Sequence, residues 1–228
     1  MPVAFRVSAP LAMFRKWWTT TSSVSYAFPP PTAVAGLISA IMGFQNGEDN
    51  RALYWEKLTG GQVAIVIERF SYISMGVNFL NTKDSLFYKN HTQIMHQFLR
   101  NPSYIIFYKG PLEDRLYTHL KRQWFIYTPY LGVAYAITKP TLVGRWEEKD
   151  AFSDHVHSVF PFKDSPPPID VVKTGGVFTE KMDYMQTVDR KRKDVLSVIY
   201  AKGPVYFKED IQVSQVGPYR IKWFPQWI

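Results

Sequence analysis

Two cations and two tryptophans lie side by side near the start of the chain, in the run Arg15-Lys16-Trp17-Trp18. Positive charges beside flat rings suit single-stranded nucleic acid, because the charges hold phosphates and the rings stack on bases. A tryptophan pair packed under a loop is the alternative interpretation. We predict that Arg15 and Lys16 contact phosphate, that Trp17 belongs to the binding surface and that one of the two tryptophans is buried.

A second group of polar residues occupies residues 75–102, a long stretch without a firm hydrophobic period. Stretches of this length inside a compact domain are usually functional. The alternative interpretation is a solvated hairpin, and we favour contact with RNA. The residues predicted to contact RNA there are Lys83, Lys89, Asn90, His91, Gln93 and Arg100.

Three further groups carry weaker chemical signals. The basic run at 190–193 could bind phosphate, although a solvated turn is the more ordinary interpretation. His155 and His157 have the spacing of one strand face, but no third ligand accompanies them, so we predict no metal site and no cofactor. Gly132 could permit a tight turn or a close approach of RNA, and both stay open. The chain has no cysteine, which excludes disulfides and thiolate ligands.

Hydrophobic spacing predicts the elements that position these residues. Residues 3–8 alternate between apolar and other residues, which indicates a first strand. Residues 62–70 form a nearly continuous apolar run typical of a central strand, and residues 103–108 form a further strand. A helix is predicted after Pro111, with acidic residues in its first turn and basic residues in its last. Residues 127–146 read as a turn, a glycine and a strand.

The segment YAFPPPTAVAGLISAIMG, residues 26–43, predicts a helix with two unlike faces. The prolines force an extended approach, Thr32 is predicted to cap the helix and Gly43 to end it. One face is an apolar stripe, whereas the small residues of the other would let a second backbone approach closely. That backbone could belong to a neighbouring helix or to a bound partner. The stripe is Val34, Leu37, Ile38, Ile41 and Met42, and the small face is Ala33, Ala35, Gly36, Ser39 and Ala40.

The order of elements is strand, helix, strand, insertion, strand, helix, strand, which is the order of the ferredoxin-like fold. RNA-recognition motifs share this fold, but their aromatic RNA signature is missing here. After about residue 150 the chain turns to proline-rich segments and short strands, with a charged hairpin tip at 189–194. We predict an α+β protein with a ferredoxin-like (RRM-like) domain at 1–149, a long insertion in it at 75–102 and a small β-rich C-terminal subdomain at 150–228.

Charge and composition bound the choice of partner. The 228 residues include 27 lysines and arginines and 19 acidic residues, a net charge of +8, and 16% of the residues are aromatic. This balance suits a nucleic-acid partner, although a charge of this size is also normal for a soluble domain. The longest apolar run, residues 33–44, is too short to span a bilayer. Since no signal-peptide pattern opens the sequence, we expect a cytoplasmic protein without membrane contact.

The stretch FRVSAPLAMFR, followed by SYAFPPPTAVAGLISAIMG, resembles the opening of the CRISPR-associated Cas family five. Members begin with a strand and an APLA-F segment, followed by a P-P-P-[ST]-x-x-x-G segment that leads into the first helix. NHTQIMHQFLRNPSYIIFY and YTPYLGVAYAI resemble the family's middle blocks. Residues 150–228 resemble the family only in general character. The sequence as a whole is similar to members from type I-A and I-B systems.

The resemblance implies a subunit of the Cascade surveillance complex that caps the 5′ handle of the CRISPR RNA (crRNA). Such a subunit contacts the large subunit and the first copy of the backbone subunit, and meets target DNA only indirectly. In the family, a hairpin called the thumb emerges between the second and third strands, and residues 75–102 occupy that place. With this resemblance we expect RNA contact also at Tyr26, Pro31 and Thr32.

Two other functions stay open. In the type I-C branch of the family the protein itself cuts precursor RNA without metal, with Tyr, Lys and His as acid–base groups. Tyr26, Lys89 and His91 are of those types, but they do not align with that branch's active site. The third interpretation is an unrelated RNA-recognition adaptor. We expect a non-catalytic RNA-binding subunit, with a metal-independent endoribonuclease as the alternative.

Overall fold

The computed structural model describes residues 1–80 and 91–228 as a sheet-rich mixture of strands and short helices. The helices are α1 (Pro31–Met42), α2 (Tyr54–Leu58), α3 (Glu113–Arg122) and α4 (Val171–Thr174). The strands of the first part are β1 (Val3–Ser8), β2 (Leu11–Ala12), β3 (Phe14–Arg15), β4 (Ser25–Tyr26), β5 (Gln62–Arg69), β6 (Tyr72–Leu80), β7 (His91–Arg100), β8 (Ser103–Lys109) and β9 (Thr141–Arg145). Those of the second part are β10 (Glu148–Val156), β11 (Phe160–Phe162), β12 (Phe178–Gln186), β13 (Arg192–Tyr200), β14 (Val205–Val216) and β15 (Tyr219–Ile221).

One antiparallel sheet organises the first part of the chain, with its strands in the order β5, β8, β1, β9. Alternate residues of β1 point to one face because successive side chains of a strand alternate. Val3, Phe5 and Val7 are buried there in one core with the apolar stripe of α1 and with Leu116 and Leu120 of α3. The predicted first strand, the apolar stripe and the helix after Pro111 are confirmed.

The opposite face of this sheet is covered by the end of the second part. Phe107 and Ile105 of β8 belong to a separate core with Val216 and Ile221, and the ring of Tyr219 lies 5.4 Å from that of Phe107. A base could stack on this face only by displacing β14 and β15. This burial gives a structural reason for the missing aromatic signature.

The strand at 62–70 lies at an edge of the sheet, so the prediction of a central strand is wrong. The strand is apolar because later parts of the chain cover its outer side. The backbone N–H groups of Val159, Phe224 and Trp227 donate to carbonyls on β5 or just before it, at 2.8 to 2.9 Å. Burial of a strand therefore does not require a strand on each side.

The main core contains side chains from both predicted domains. The ring of Phe28 lies 5.3 Å from that of Tyr200, and the ring of Trp55 lies 5.3 Å from that of Trp227. All four belong to the same buried cluster. The boundary at residue 149 stays a prediction, but the two parts share a core.

The insertion predicted at 75–102 begins and ends as a hairpin over residues 72–100. β6 and β7 pair antiparallel from Tyr72 opposite Leu99 to Leu80 opposite His91. The hairpin leaves the sheet between β5 and β8, as predicted for the insertion. Its period is blurred because exposed apolar residues such as Met75 and Met95 occur on both faces.

Two further segments differ in detail from the expected ones. Within residues 127–146 only Thr141–Arg145 is a strand, because the preceding stretch is held by turns such as the one that joins Leu131 to Ala136. The hairpin formed by β12 and β13 has its tip near residues 187–191, which confirms the predicted hairpin. Over the described part of the chain, no helix has the length and apolarity needed to cross a membrane.

Candidate nucleic-acid interface

A cleft of about 750 Å³ opens along α1. Its floor is the small-residue face of the helix, where Thr32, Ala33, Gly36 and Ala40 line the cleft and are half-exposed. The apolar stripe is buried, and only Leu37 of it also borders the cleft. The two faces predicted for this helix are therefore present, and much of the small face meets a cleft.

The start of α1 lies at the cleft and is set by prolines. The helix begins at Pro31, follows Pro30 and has no side-chain cap, so the prediction that Thr32 caps it is wrong. Proline suits this position because its φ is already helical and its missing N–H has no partner in a first turn. Thr32 is the second residue of the helix and lines the cleft. Gly43 ends the helix as predicted, with a φ of 77°.

One wall of the cleft joins the segment around Met13 to residues 127–132. Gly132 has a φ of 82°, and a Cβ atom there would overlap the carbonyl oxygen of Met13. The two roles left open for Gly132 were a tight turn and a close approach of RNA. The structure shows a turn at Gly132, and this turn contacts the backbone of Met13. Tyr127 and Tyr130 add rings to this wall, each exposed over more than two-fifths of its surface.

The opposite wall joins residues 44–54 to the tip of the β12–β13 hairpin. The N–H of Ala52 donates to the carbonyl of Val188 at 2.6 Å, and Gln186 and Arg190 line the cleft from the tip. Arg190 is exposed and also lines the cleft, so the solvated turn and the phosphate contact both stay open for residues 190–193. Local sequence carries no signal for the contact between Ala52 and Val188, since the partners lie more than 130 positions apart.

The lining combines two arginines with amides, hydroxyls and aromatic rings. Among the described residues that line the cleft there is no aspartate, glutamate, histidine or lysine. Near one end, Phe44 lies under two more cations, with Arg115 at 4.8 Å and Lys57 at 5.6 Å from its ring centre. Such a lining favours an anionic ligand and offers no imidazole or carboxylate for proton transfer. Its polar side chains are Arg15, Thr32, Ser39, Gln45, Asn46, Tyr54, Tyr127, Thr128, Tyr130, Gln186 and Arg190.

The structure separates the two neighbouring cations Arg15 and Lys16. Arg15 is exposed and lines the cleft, and its Nη2 donates to the carbonyls of Thr19 and Thr20, each at 2.6 Å. The ammonium of Lys16 donates to both carboxylate oxygens of Glu180 at 2.7 Å, and both side chains are only 14% exposed. A phosphate could contact Lys16 only in competition with this ion pair, whereas Arg15 is exposed at the cleft.

The expected burial of one tryptophan is wrong, because Trp17 and Trp18 are exposed over about half of their surface. Their rings meet edge to face at 5.5 Å, and Trp18 meets Tyr26 in the same way at 5.9 Å. Tyr26 itself is buried, and its hydroxyl donates to the carbonyl of Lys181 at 3.1 Å. Neither Trp17 nor Tyr26 lines the cleft, and a buried Tyr26 has no surface on which RNA could stack.

Of the remaining predicted RNA contacts that the structure describes, Pro31 is buried and does not line the cleft, and Gln93 and Arg100 lie on the β6–β7 hairpin outside the cleft. Gln93 is exposed and lies across Gly76, where an added Cβ would come within 2.9 Å of its Nε2. Arg100 is exposed at the base of the hairpin, where its N–H donates to the carbonyl of Ser71. The side chains outside the described residues are those of Lys83, Lys89, Asn90 and His91.

His155 and His157 are held by hydrogen bonds in the C-terminal sheets. Nδ1 of His155 lies 2.7 Å from Asp154, and its Nε2 lies 2.7 Å from the guanidinium of Arg220. Burial lowers the pKa of His157, and the charges of His155 and Arg220 lower it further. In residues 1–80 and 91–228, no three His, Cys, Asp or Glu side chains are grouped as they would be around a metal ion.

A comparison with models of known protein families identifies the family to which the chain belongs. The family model described as CRISPR-associated protein (Cas_Cas5) matches residues 3–161, which is more than half of the chain. The protein therefore belongs to this family of CRISPR-associated proteins, and the resemblance carried by its first residues is confirmed. No curated protein matches the sequence.

Three solved structures share the fold over most of the chain. One, described as a CRISPR RNA-guided surveillance complex, aligns over 91% of both chains with 10% identity and a TM-score of 0.54. A type III-B Cmr-beta complex bound to cognate target RNA and AMPPnP aligns over 89% of this chain and 86% of that chain, with 11% identity and a TM-score of 0.57. A CRISPR protein from Archaeoglobus fulgidus aligns over 97% of this chain and 98% of that chain, with 13% identity and a TM-score of 0.55.

Proposed function

We propose that the protein is a non-catalytic RNA-binding subunit of a type I CRISPR interference complex of the Cascade kind, and that its cleft holds the 5′ handle of the crRNA. The observation that carries this proposal is the cleft itself. Two arginines, exposed tyrosine rings and several amides line the cleft along α1, from its start to the residues that follow its end, and no acidic side chain is among the described lining residues. Helix starts and arginines suit phosphates, and rings suit unstacked bases.

We also infer that residues 1–149 form a ferredoxin-like domain. The strand order β5, β8, β1, β9 supports this inference. Along the chain these four strands come in the order β1, β5, β8, β9, with the β6–β7 hairpin inserted between β5 and β8. Their order in the sheet is therefore second, third, first, fourth. Helices α1 and α3 supply the two crossovers of such a domain. Since β14 and β15 cover the outer face of the sheet, RNA recognition is expected beside α1 and not on the strands.

We further propose that the β6–β7 hairpin contacts RNA beyond the handle together with the adjacent backbone subunit. Tyr72, Met75, Phe79 and Met95 on this hairpin are exposed apolar side chains, and groups of such residues mark interaction surfaces. Contact with the large subunit, and indirect contact with target DNA, belong to the same proposal.

The composition of the cleft supports binding without cleavage. Metal-independent RNA cleavage needs groups that take a proton from a 2′-hydroxyl and deliver one to the leaving oxygen. The described lining offers tyrosines and arginines, but no histidine or lysine.

The proposal is tested by incubating the purified protein with labelled precursor repeat RNA in the absence of metal, scoring both retention and cleavage. We expect retention without cleavage, weakened as salt is raised. Gly36→Leu fills the floor of the cleft and should abolish retention. Gly36→Ala is the matched control, because its Cβ would make an ordinary 3.7 Å contact with the Tyr54 hydroxyl.

Three results would contradict this picture. Site-specific cleavage that is lost in His91→Ala would support the endoribonuclease alternative. Equal retention by Gly36→Leu and the wild type would mean that RNA binds elsewhere, provided that circular dichroism shows both proteins folded. Failure of the wild type to retain repeat RNA would overturn the RNA-binding function itself.

A further inference from the structure

We infer that the tip of the β12–β13 hairpin is part of the RNA site, and that Arg190 contacts phosphate there. The inference rests on the proposed function and extends it to the second part of the chain. The floor and the first wall of the cleft come from residues 13–132, whereas Arg190 comes from a hairpin that follows residue 150. One RNA strand would then touch both parts of the protein.

The guanidinium of Arg190 is held at the cleft wall by residues that line the same cleft. Its Nη2 donates to Oδ1 of Asn46 at 3.0 Å, and the group lies 5.9 Å from the ring centre of Tyr54. A cation that is already positioned loses less conformational freedom when a ligand binds. The planar guanidinium also suits a phosphate better than an ammonium group does.

The backbone of Arg190 points to a role for its side chain. Its φ is 59°, a left-handed conformation that glycine or asparagine adopts more readily than arginine. Non-glycine residues in this region carry strain, and such strain clusters at functional sites. Arginine at this position is accounted for if its side chain supplies a binding contact.

The tip of the hairpin is attached to the rest of the cleft at three further points. The N–H of Ala52 donates to the carbonyl of Val188, and Nε of Arg51 lies 2.9 Å from Asp189. Nε2 of Gln186 donates to the Tyr54 hydroxyl at 3.3 Å. The exposed ion pair contributes little by itself, but the three contacts together fix the tip against residues 46–54.

The same turn contains a charge control for this inference. Lys191 is exposed, follows Arg190 directly and does not line the cleft. Removing either residue lowers the net charge of the protein by one. Only the loss of the Arg190 side chain would also remove a contact inside the cleft.

The experiment measures repeat RNA affinity as a function of salt for the wild type, Arg190→Gln and Lys191→Gln. For Arg190→Gln we expect affinity to fall about tenfold, and the slope of log affinity against log salt to shrink by about 0.7, as for one lost phosphate contact on a single strand. For Lys191→Gln we expect a change within about twofold and the same slope.

Arg190→Gly separates binding from folding, because glycine tolerates the positive φ. We expect its melting temperature to stay the same or rise while its affinity falls as in Arg190→Gln. Equal affinity losses for Arg190→Gln and Lys191→Gln, or no loss for Arg190→Gln, would overturn the inference while leaving the proposed function intact. Absence of binding by the wild type would overturn both.

Discussion

At the level of single residues, Gly132 determines whether the first wall of the cleft can form. We expect Gly132→Ala to lower the free energy of unfolding, because its Cβ would overlap the carbonyl oxygen of Met13. Gly175 is a matched control with a φ of 77° and nothing within 4 Å of an added Cβ.

Urea unfolding of both variants distinguishes the cost of the left-handed backbone from the cost of the overlap with Met13. Gly175→Ala should lose about 1–2 kcal/mol through the left-handed backbone alone. Gly132→Ala should lose about 1–3 kcal/mol more, the usual cost of overpacking. Equal losses for the two variants would mean that the Met13 contact is relieved without cost.

His157 makes stability depend on pH. Burial lowers its pKa below the ordinary value of 6.5, so the unfolded chain takes up a proton more readily than the folded protein. Its contribution to stability is therefore complete above pH 6.5 and is lost as pH falls through that value toward the lowered pKa. Unfolding free energies at pH 7.5, 6.5 and 5.5 should fall in that order. The fall should be smaller in His157→Gln, and an identical pH profile for that variant would contradict this role.

At the level of elements, the Lys16–Glu180 ion pair ties the loop before β4 to β12. Lys16→Met should lower stability by about 1–3 kcal/mol, because it leaves the largely buried Glu180 carboxylate without its partner. Adding Glu180→Leu should restore part of the loss, since replacing both partners leaves no unpaired charge. RNA retention by Lys16→Met should match the wild type, and a selective loss of retention would reinstate the RNA contact predicted from the sequence.

Elements with local signals are the ones that the sequence predicts well. α1 is predicted nearly to its ends, because its stripe follows the helical period, prolines precede it and Gly43 adopts the left-handed conformation that ends it. The sequence predicts β5 as a central strand, but the strand lies at the edge of its sheet. An apolar run indicates that a strand is buried, and it does not indicate whether strands or other segments cover it. The insertion that contains β6 and β7 is located from the sequence, but its two strands are not delimited there, because neither of their faces is uniformly buried.

The candidate site is predicted less completely than the fold, for a similar reason. Arg15, Thr32 and Gly132 are found from local motifs, and the structure brings them to one cleft. Arg190 and Tyr54 contribute to the same cleft through contacts between distant parts of the chain. Lys16 looks equivalent to Arg15 in the sequence, but only the fold shows that Glu180 lies beside it.

For the molecule as a whole, the shared core implies that the two parts unfold together. We expect the full chain to unfold in one cooperative transition, observed alike by tryptophan fluorescence and circular dichroism. A fragment of residues 1–149 should fail to fold cooperatively, because it lacks Tyr200, Phe224 and Trp227 from the main core. A sharp unfolding transition of that fragment would instead support an independent first domain.

The backbone contacts along β5 also bear on solubility. With its outer edge uncovered, the run QVAIVIE would offer unpaired N–H and carbonyl groups on an apolar strand, which is the usual template for strand-by-strand aggregation. The segment at 224–227 occupies part of that edge. Damage to this segment, for instance by proteolytic trimming, should therefore appear first as light scattering from precipitating protein, before any loss of RNA binding is measured.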